Sequence, residues 1–288
     1  MVDEHIFFNR CLNSYKNMNE KYLDTNKALW EELTEINIGS AMYDLEGFKQ
    51  GAETLDPIEL AELGDIKGKS ILHLQCQFGQ DAISLARKGA SVTGVDFSEK
   101  AIALAKGLSA ELKVPAEFIC CNIYDLPKHL DKKFDIVFTS EGVLCWLPDL
   151  SEWAQLINRY LKPGGFFYIC EFHPIATVFT NDPTDTELKA RYSYFHQDQP
   201  LKWDDGYAYA DHSKRTTNPS YEWQHPLADV ASSLLATGLR IEFLHEFPYC
   251  SYDCFPFLEK GKDGRWRFPD GKDLIPLMFS LKASKPVA

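Results

Sequence analysis

From Lys69 onward, short apolar runs alternate with amphipathic stretches. Residues 71–76, 91–95, 116–121, 134–139 and 166–170 are each short and apolar enough for a strand buried on both faces. Between them, residues 81–88 carry Ala82, Ile83, Leu85 and Ala86 at helical spacing. Ser98 is placed to cap a helix that continues through Ala101, Leu104 and Ala105 to about Leu112. Residues 151–161 predict another helix, stopped at Lys162-Pro163-Gly164-Gly165. Pro226 opens a helix to Thr237, with Gly238 as its stop. Residues 239–247 and 274–281 read as two more strands, and Pro276 predicts that the last lies at an edge.

This alternation predicts an α/β fold, a Rossmann-like seven-stranded, mostly parallel sheet with helices on both faces. Residues 1–66 read as a mainly helical, polar N-terminal cap. Residues 67–288 form the main domain, interrupted by a polar, turn-rich and aromatic insertion at 174–224. A long insertion in a compact domain is often a lid, and Phe179, Tyr194, Trp203, Tyr207 and Tyr209 would furnish an aromatic acceptor pocket. Tyr43 and Phe48 would close it from the N-terminal side.

Charge narrows the partners. The 288 residues carry a formal net charge of -12, and no basic stripe is concentrated anywhere along them. Such a body repels phosphates and anionic lipid, so neither nucleic acid nor membrane is an expected partner. The N-terminus has no apolar leader, and no run reaches the length of a membrane span. The eight cysteines, Cys11 among them, sit mostly in apolar runs without paired C-x-x-C spacing. That argues against a metal site and for a reducing cytoplasm.

Sheets of this kind bind ligands at the carboxyl ends of their strands. The first strand ends in His73-Leu74-Gln75-Cys76-Gln77-Phe78-Gly79-Gln80. The dinucleotide spacing G-x-G-x-x-G fails there at Gln75, Gln77 and Gln80. The second strand ends in Asp96, whose carboxylate can accept two hydrogen bonds from a ribose diol. The third ends in Asn122, whose amide can both accept from and donate to an adenine ring. Phe97 and Ile123 could sandwich the flat base. Read singly, each of these residues could equally be a helix cap, a turn or core packing.

Residues 69–174 resemble the class I S-adenosylmethionine-dependent methyltransferases. The resemblance is carried by Val92-Thr93-Gly94-Val95-Asp96-Phe97-Ser98, by the stretch from Asn122 to Pro127, by Phe134-Asp135-Ile136-Val137 and by Leu161-Lys162-Pro163-Gly164-Gly165. The loop at 72–76 and the run Gly142 to Asp149 are similar to a largely uncharacterised bacterial subgroup that acts on small molecules. The resemblance implies S-adenosylmethionine as cofactor, with His73, Gln75, Cys76, Gln77 and Gly79 around its methionine part. It also implies Asp96 on the ribose, Phe97, Asn122 and Ile123 at the adenine, and Ser140 near the sulfonium.

This chain departs from the family at four places, one of them Asn122, which replaces the commoner aspartate conservatively because its carbonyl still accepts. His73 stands where an acidic residue is usual, and Gln75 and Gln77 stand where glycines are usual. Glutamine at such a position is expected to adopt negative φ or to gain a side-chain bond. Methyl transfer needs alignment and exclusion of water, and a base only if the acceptor must lose a proton. Glu141 and His173 each follow a strand end and are the candidates for base or substrate anchor. Two other functions compete: a nucleotide-dependent oxidoreductase on a similar sheet, and a binding protein that kept the fold and lost the chemistry.

Overall fold

The computed structural model describes residues 2–180 and 182–287, with side chains from Asn19 onward, so Cys11 lies outside the described side chains. Three helices come first: α1 (Val2–Asn37), α2 (Leu45–Lys49) and α3 (Pro57–Leu63). The alternating body follows as β1 (Ser70–Leu74), α4 (Gln80–Arg87), β2 (Ser91–Asp96), α5 (Glu99–Leu112), β3 (Glu117–Cys120), β4 (Phe134–Thr139), α6 (Leu150–Tyr160) and β5 (Leu161–Phe172). A hairpin of β6 (Leu201–Trp203) and β7 (Ser220–Glu222) precedes α7 (Leu227–Ala236) and β8 (Arg240–Phe247). The short strands β9 (Tyr249–Cys250), β10 (Glu259–Lys260) and β11 (Trp266–Arg267) lead to β12 (Met278–Ser284).

Seven strands form the main sheet in the order β3-β2-β1-β4-β5-β12-β8. Its first four pairings are parallel, and β12 runs antiparallel to both neighbours. The fold is thus a Rossmann-like α/β sandwich of seven mostly parallel strands. The period-two alternation along each strand explains the two cores. Ile71, Ile136, Phe138 and Tyr168 face one side, with residues of α3, α4 and α5. Leu72, Leu74, Val137, Phe167 and Ile169 face the other, with α6 and α7. Burial on both faces is why these strands read as continuous apolar runs.

The last strand corrects one expectation. Pro276 lies before β12 and removes no ladder donor, so β12 pairs on both sides and is interior to the sheet. The edge is β8, whose side chains are largely exposed or half-buried, as suits an edge strand.

The N-terminal helices and the 174–224 insertion meet above the strand ends. The side-chain amide of Asn26 donates to Tyr221 O at 2.7 Å and its carbonyl accepts from Tyr221 N at 2.8 Å, so α1 pairs with β7 as a strand would. The three short strands after β8 form a small sheet in the order β10-β11-β9, which the sequence pattern did not predict. Arg265 from this segment donates to Asp56 at 2.6 Å, fastening it to the start of α3.

Candidate functional site

The loop after β1 is built from glutamines in a glycine's conformation. Gln75 has φ +56° and Gln77 has φ +50°. The left-handed region costs an L residue about 1–2 kcal/mol, so something must hold them there. For each, a side-chain bond does. Gln75 Nε2 donates to Val143 O at 3.0 Å, tying the β1 loop to the β4 loop. Gln77 Nε2 donates to the hydroxyls of Tyr43 at 2.9 Å and Tyr209 at 3.2 Å. Of the two ways out that the sequence allows, negative φ is not taken and the side-chain bond is. Gly79 follows with φ +80°, and a Cβ there would stand 2.7 Å from the Phe118 ring. Its role is the close turn into α4.

Asp96 anchors this loop. Its carboxylate accepts from Gln77 N and from Ser98 N, each at 2.9 Å. Burial pushes its pKa up to about 6, against the pull of those amides and of Phe97 N. At neutral pH it remains mainly ionised, with lone pairs left over for a diol. Asn122 caps a 3-10 turn at Ile123–Lys128 by accepting from Tyr124 N at 3.1 Å. The cap occupies one lone pair of its carbonyl and leaves its amide hydrogens free to read a ring nitrogen.

After β4 comes the carboxylate of Glu141, which accepts from the Ser251 hydroxyl at 2.5 Å. Burial pushes its pKa up to about 8; the Ser251 bond opposes this, and Asp56, Glu171 and Asp81 reinforce it. Glu171, at the end of β5, accepts from the backbone amides of Gly142, Val143 and Leu144 at 2.6–3.2 Å. It shapes the β4 loop.

A cavity of about 870 Å³ opens at these strand ends. Gln75, Cys76, Gln77, Asp96, Phe97, Asn122, Ile123, Ser140 and Glu141 all line it. Three of the sequence candidates do not. His73 is buried beneath the loop, 3.4 Å from the Ser140 hydroxyl, with its pKa pushed down to about 3 by burial. It is neutral and carries no charge for a ligand. Gly79 packs behind the loop. His173 is buried, with Nε2 2.8 Å from Glu246 and Nδ1 accepting from Ile175 N, so its ring holds the β5–β8 end of the sheet together and does not reach the cavity.

Several lining residues were not singled out by sequence reading. Glu59 and Asp81 enter from α3 and α4, Trp146 from the loop after β4, Glu222 from β7 and Tyr252 from the segment after β9. Asp56 and Glu59 do carry a legible capping box, since Ile58 N donates to Asp56 and Asp56 N donates to Glu59.

The residues fit an adenosyl-bearing cofactor. Carboxylate, amide and apolar faces converge on one space, and Gln75 Oε1 is a buried carbonyl without a partner. A buried acceptor left open is the kind of group a ligand's N–H satisfies. Comparison with known proteins agrees. A sequence family described as a methyltransferase domain matches residues 72–169. A ubiquinone biosynthesis O-methyltransferase of Chromobacterium violaceum is 34% identical over 114 residues, 40% of this chain and 49% of that protein. An uncharacterised methyltransferase of Synechocystis is 32% identical over 148 residues, 51% of this chain and 62% of that protein. The chain thus spans about half the length of the curated relatives it matches. A crystal structure of an S-adenosylmethionine-dependent methyltransferase from Mesorhizobium loti shares the fold, with TM-score 0.57 at 20% identity, over 82% of this chain and 99% of that one. Residues 72–169 match a methyltransferase domain, carried on a fold that the S-adenosylmethionine-dependent methyltransferase of Mesorhizobium loti shares.

Proposed function

We propose that this protein transfers a methyl group from S-adenosylmethionine to a small-molecule acceptor seated in the cavity over the strand ends. The observation that carries this reading is convergence. The β1 loop, Asp96 after β2, Asn122 after β3 and Glu141 after β4 line the same space, although they are far apart in sequence. The cofactor supplies an electrophilic methyl group when bound. Asp96 would accept from its ribose, and Asn122 with Phe97 and Ile123 would hold its adenine. Gln75, Cys76 and Gln77 would bound its methionine part, with Ser140 beside the reacting end. Glu141 would anchor the acceptor or take a proton from it.

In this reading residues 1–66 act as a cap and 174–224 as a lid, which together keep water from the reacting atoms. The acceptor is a small molecule and not a nucleic acid, because an acidic body repels phosphates. Among the described residues no helix is long and apolar enough to cross a membrane. The free thiols of Cys76, Cys121, Cys145 and Cys170 are those of a protein in a reducing compartment, so the cytoplasm is the proposed location.

Calorimetric titration with S-adenosylmethionine, S-adenosylhomocysteine and NAD tests the reading. Saturable binding of the two adenosyl compounds without NAD is expected. Binding of NAD in their place would return the chain to the oxidoreductases.

A further inference from the structure

The charge of the cavity points to its second substrate. Every formally charged side chain that lines it is a carboxylate, and no described lysine or arginine does. The lining histidine, His225, is held near pKa 4 by burial and is neutral. Some of these carboxylates are already answered from within the fold. Asp56 meets Arg265, Glu53 meets Lys88 at 2.6 Å, and Glu171 takes three backbone amides. Asp96 holds the β1 loop. Six others form no described ion pair: Asp44, Glu59, Asp81, Glu141, Asp205 and Glu222, and Arg265 acts on Glu141 only from beyond ion-pair distance.

Two features make this a site and not just an acidic wall. Glu59 is only 2% exposed and its Oε1 has no hydrogen-bond partner, although the residue lines the cavity. A buried acceptor in that state calls for a donor from a ligand. On the lid side, Glu222 takes a hydrogen bond from Trp203, and the Tyr252 ring lines the same cavity. Aromatic rings next to a carboxylate are the surroundings that favour an organic cation. The cofactor cannot account for all of this. It brings one ammonium, one sulfonium and one carboxylate, a net charge of one that answers a single carboxylate, and burial leaves Glu59, Asp81, Glu141 and Glu222 only partly ionised until a cation is seated among them.

Resting on the methyltransferase reading, we infer that the acceptor is an organic amine, cationic in water, seated against Glu141, Glu222, Trp203 and Tyr252 and methylated on nitrogen. An ammonium has no lone pair, so one proton first passes to a carboxylate, and Glu141 is the carboxylate nearest the β4 end. The amine nitrogen then forms its bond to the methyl carbon as the carbon–sulfur bond breaks. The electron pair of that bond stays on sulfur. The products are the N-methylated ammonium and S-adenosylhomocysteine. Anionic acceptors are repelled because nothing in the described lining compensates a negative charge.

The test uses the full chain saturated with S-adenosylhomocysteine and three probes: benzyltrimethylammonium, benzyl alcohol and phenylacetate. Titration calorimetry is expected to give saturable binding of the cation, about tenfold or more tighter than the alcohol, and none of the anion. Glu222→Gln is expected to weaken the cation several-fold and to leave S-adenosylhomocysteine binding as it was. Equal or tighter binding of the alcohol or the anion overturns the inference. So does failure of the cation to bind the loaded protein; the methyltransferase reading survives that result. If S-adenosylhomocysteine itself does not bind the wild type, that reading falls and the inference falls with it.

Discussion

Gln77 donates its side-chain amide to the Tyr43 hydroxyl across 2.9 Å, and Tyr43 lies 2.6 Å from the hydroxyl of Tyr209. One glutamine thereby joins three segments remote in sequence: the loop after β1, the N-terminal helical region and the 174–224 insertion. Asn37 Nδ2 completes the cluster by donating to Tyr209 at 2.8 Å. The family's usual glycine could not make this bridge. The strain of φ +50° at Gln77 is therefore balanced by order in the lid.

Replacement of Gln77 by glycine separates the two effects. The substitution relieves backbone strain of about 1–2 kcal/mol and removes two bonds of about 1 kcal/mol each. Global stability is expected to change little, whereas the bridge to the lid is lost. Limited proteolysis should cut segment 174–224 several-fold faster in Gln77→Gly than in the wild type at equal Tm. Unchanged cleavage would show that the bridge does not order the lid.

Asp96 supports the loop and faces the cavity at the same time. Asp96→Asn keeps the shape but loses the charge and exchanges one acceptor for a donor. A hydrogen bond to a charged group contributes about 1.5–3 kcal/mol. The dissociation constant for S-adenosylhomocysteine should then rise about 10-fold to 100-fold in calorimetry. An unchanged constant would remove Asp96 from the ribose site.

Glu141 makes a pH prediction. Its pKa is raised to about 8, so the carboxyl is protonated below that pH and becomes a base above it. Asp56, Asp81, Glu59 and Glu171 face it and raise the value, while Ser251 and Arg265 oppose them. If Glu141 takes the acceptor's proton, kcat/KM should climb about tenfold per pH unit from pH 6 and level off above 8. Glu141→Gln should lower the plateau about a hundredfold and abolish the inflection near 8. A variant that retains the inflection would assign it to another group.

The strands of the main sheet were legible because interior parallel strands must be apolar on both faces, as Ile71 and Leu72 are. Helix ends were legible where a cap has a side-chain cause, as at Ser98, which accepts from Ala101 N. The interior position of β12 was not, because Pro276 carries a signal that applies only inside a ladder, and the strand begins two residues later. The small sheet β9–β11 was invisible because two-residue strands have no period. In the site, Asp96 and Asn122 could be read because each ends a predicted strand. Glu59, Asp81 and Glu222 could not, because an isolated acid in a helix or hairpin looks the same whether it faces solvent or a cavity. Only the fold decides that.

His173 follows a strand end as Glu141 does, and here the surroundings decide against a role in transfer. Its Nδ1 accepts from Ile175 N at 3.1 Å, which leaves the proton on Nε2 to donate to Glu246 at 2.8 Å. Burial holds its pKa below the ordinary histidine value, against the pull of Glu246. Nε2 thus ties the end of β5 to β8 across the end of β12, and Nδ1 closes the turn that follows β5. His173→Ala leaves a buried amide without a partner, at a cost of about 1–3 kcal/mol. Tm should fall by several degrees, whereas kcat per folded molecule, corrected by active-site titration with S-adenosylhomocysteine, should equal that of the wild type. A loss of kcat without a loss of Tm would return His173 to the reacting centre.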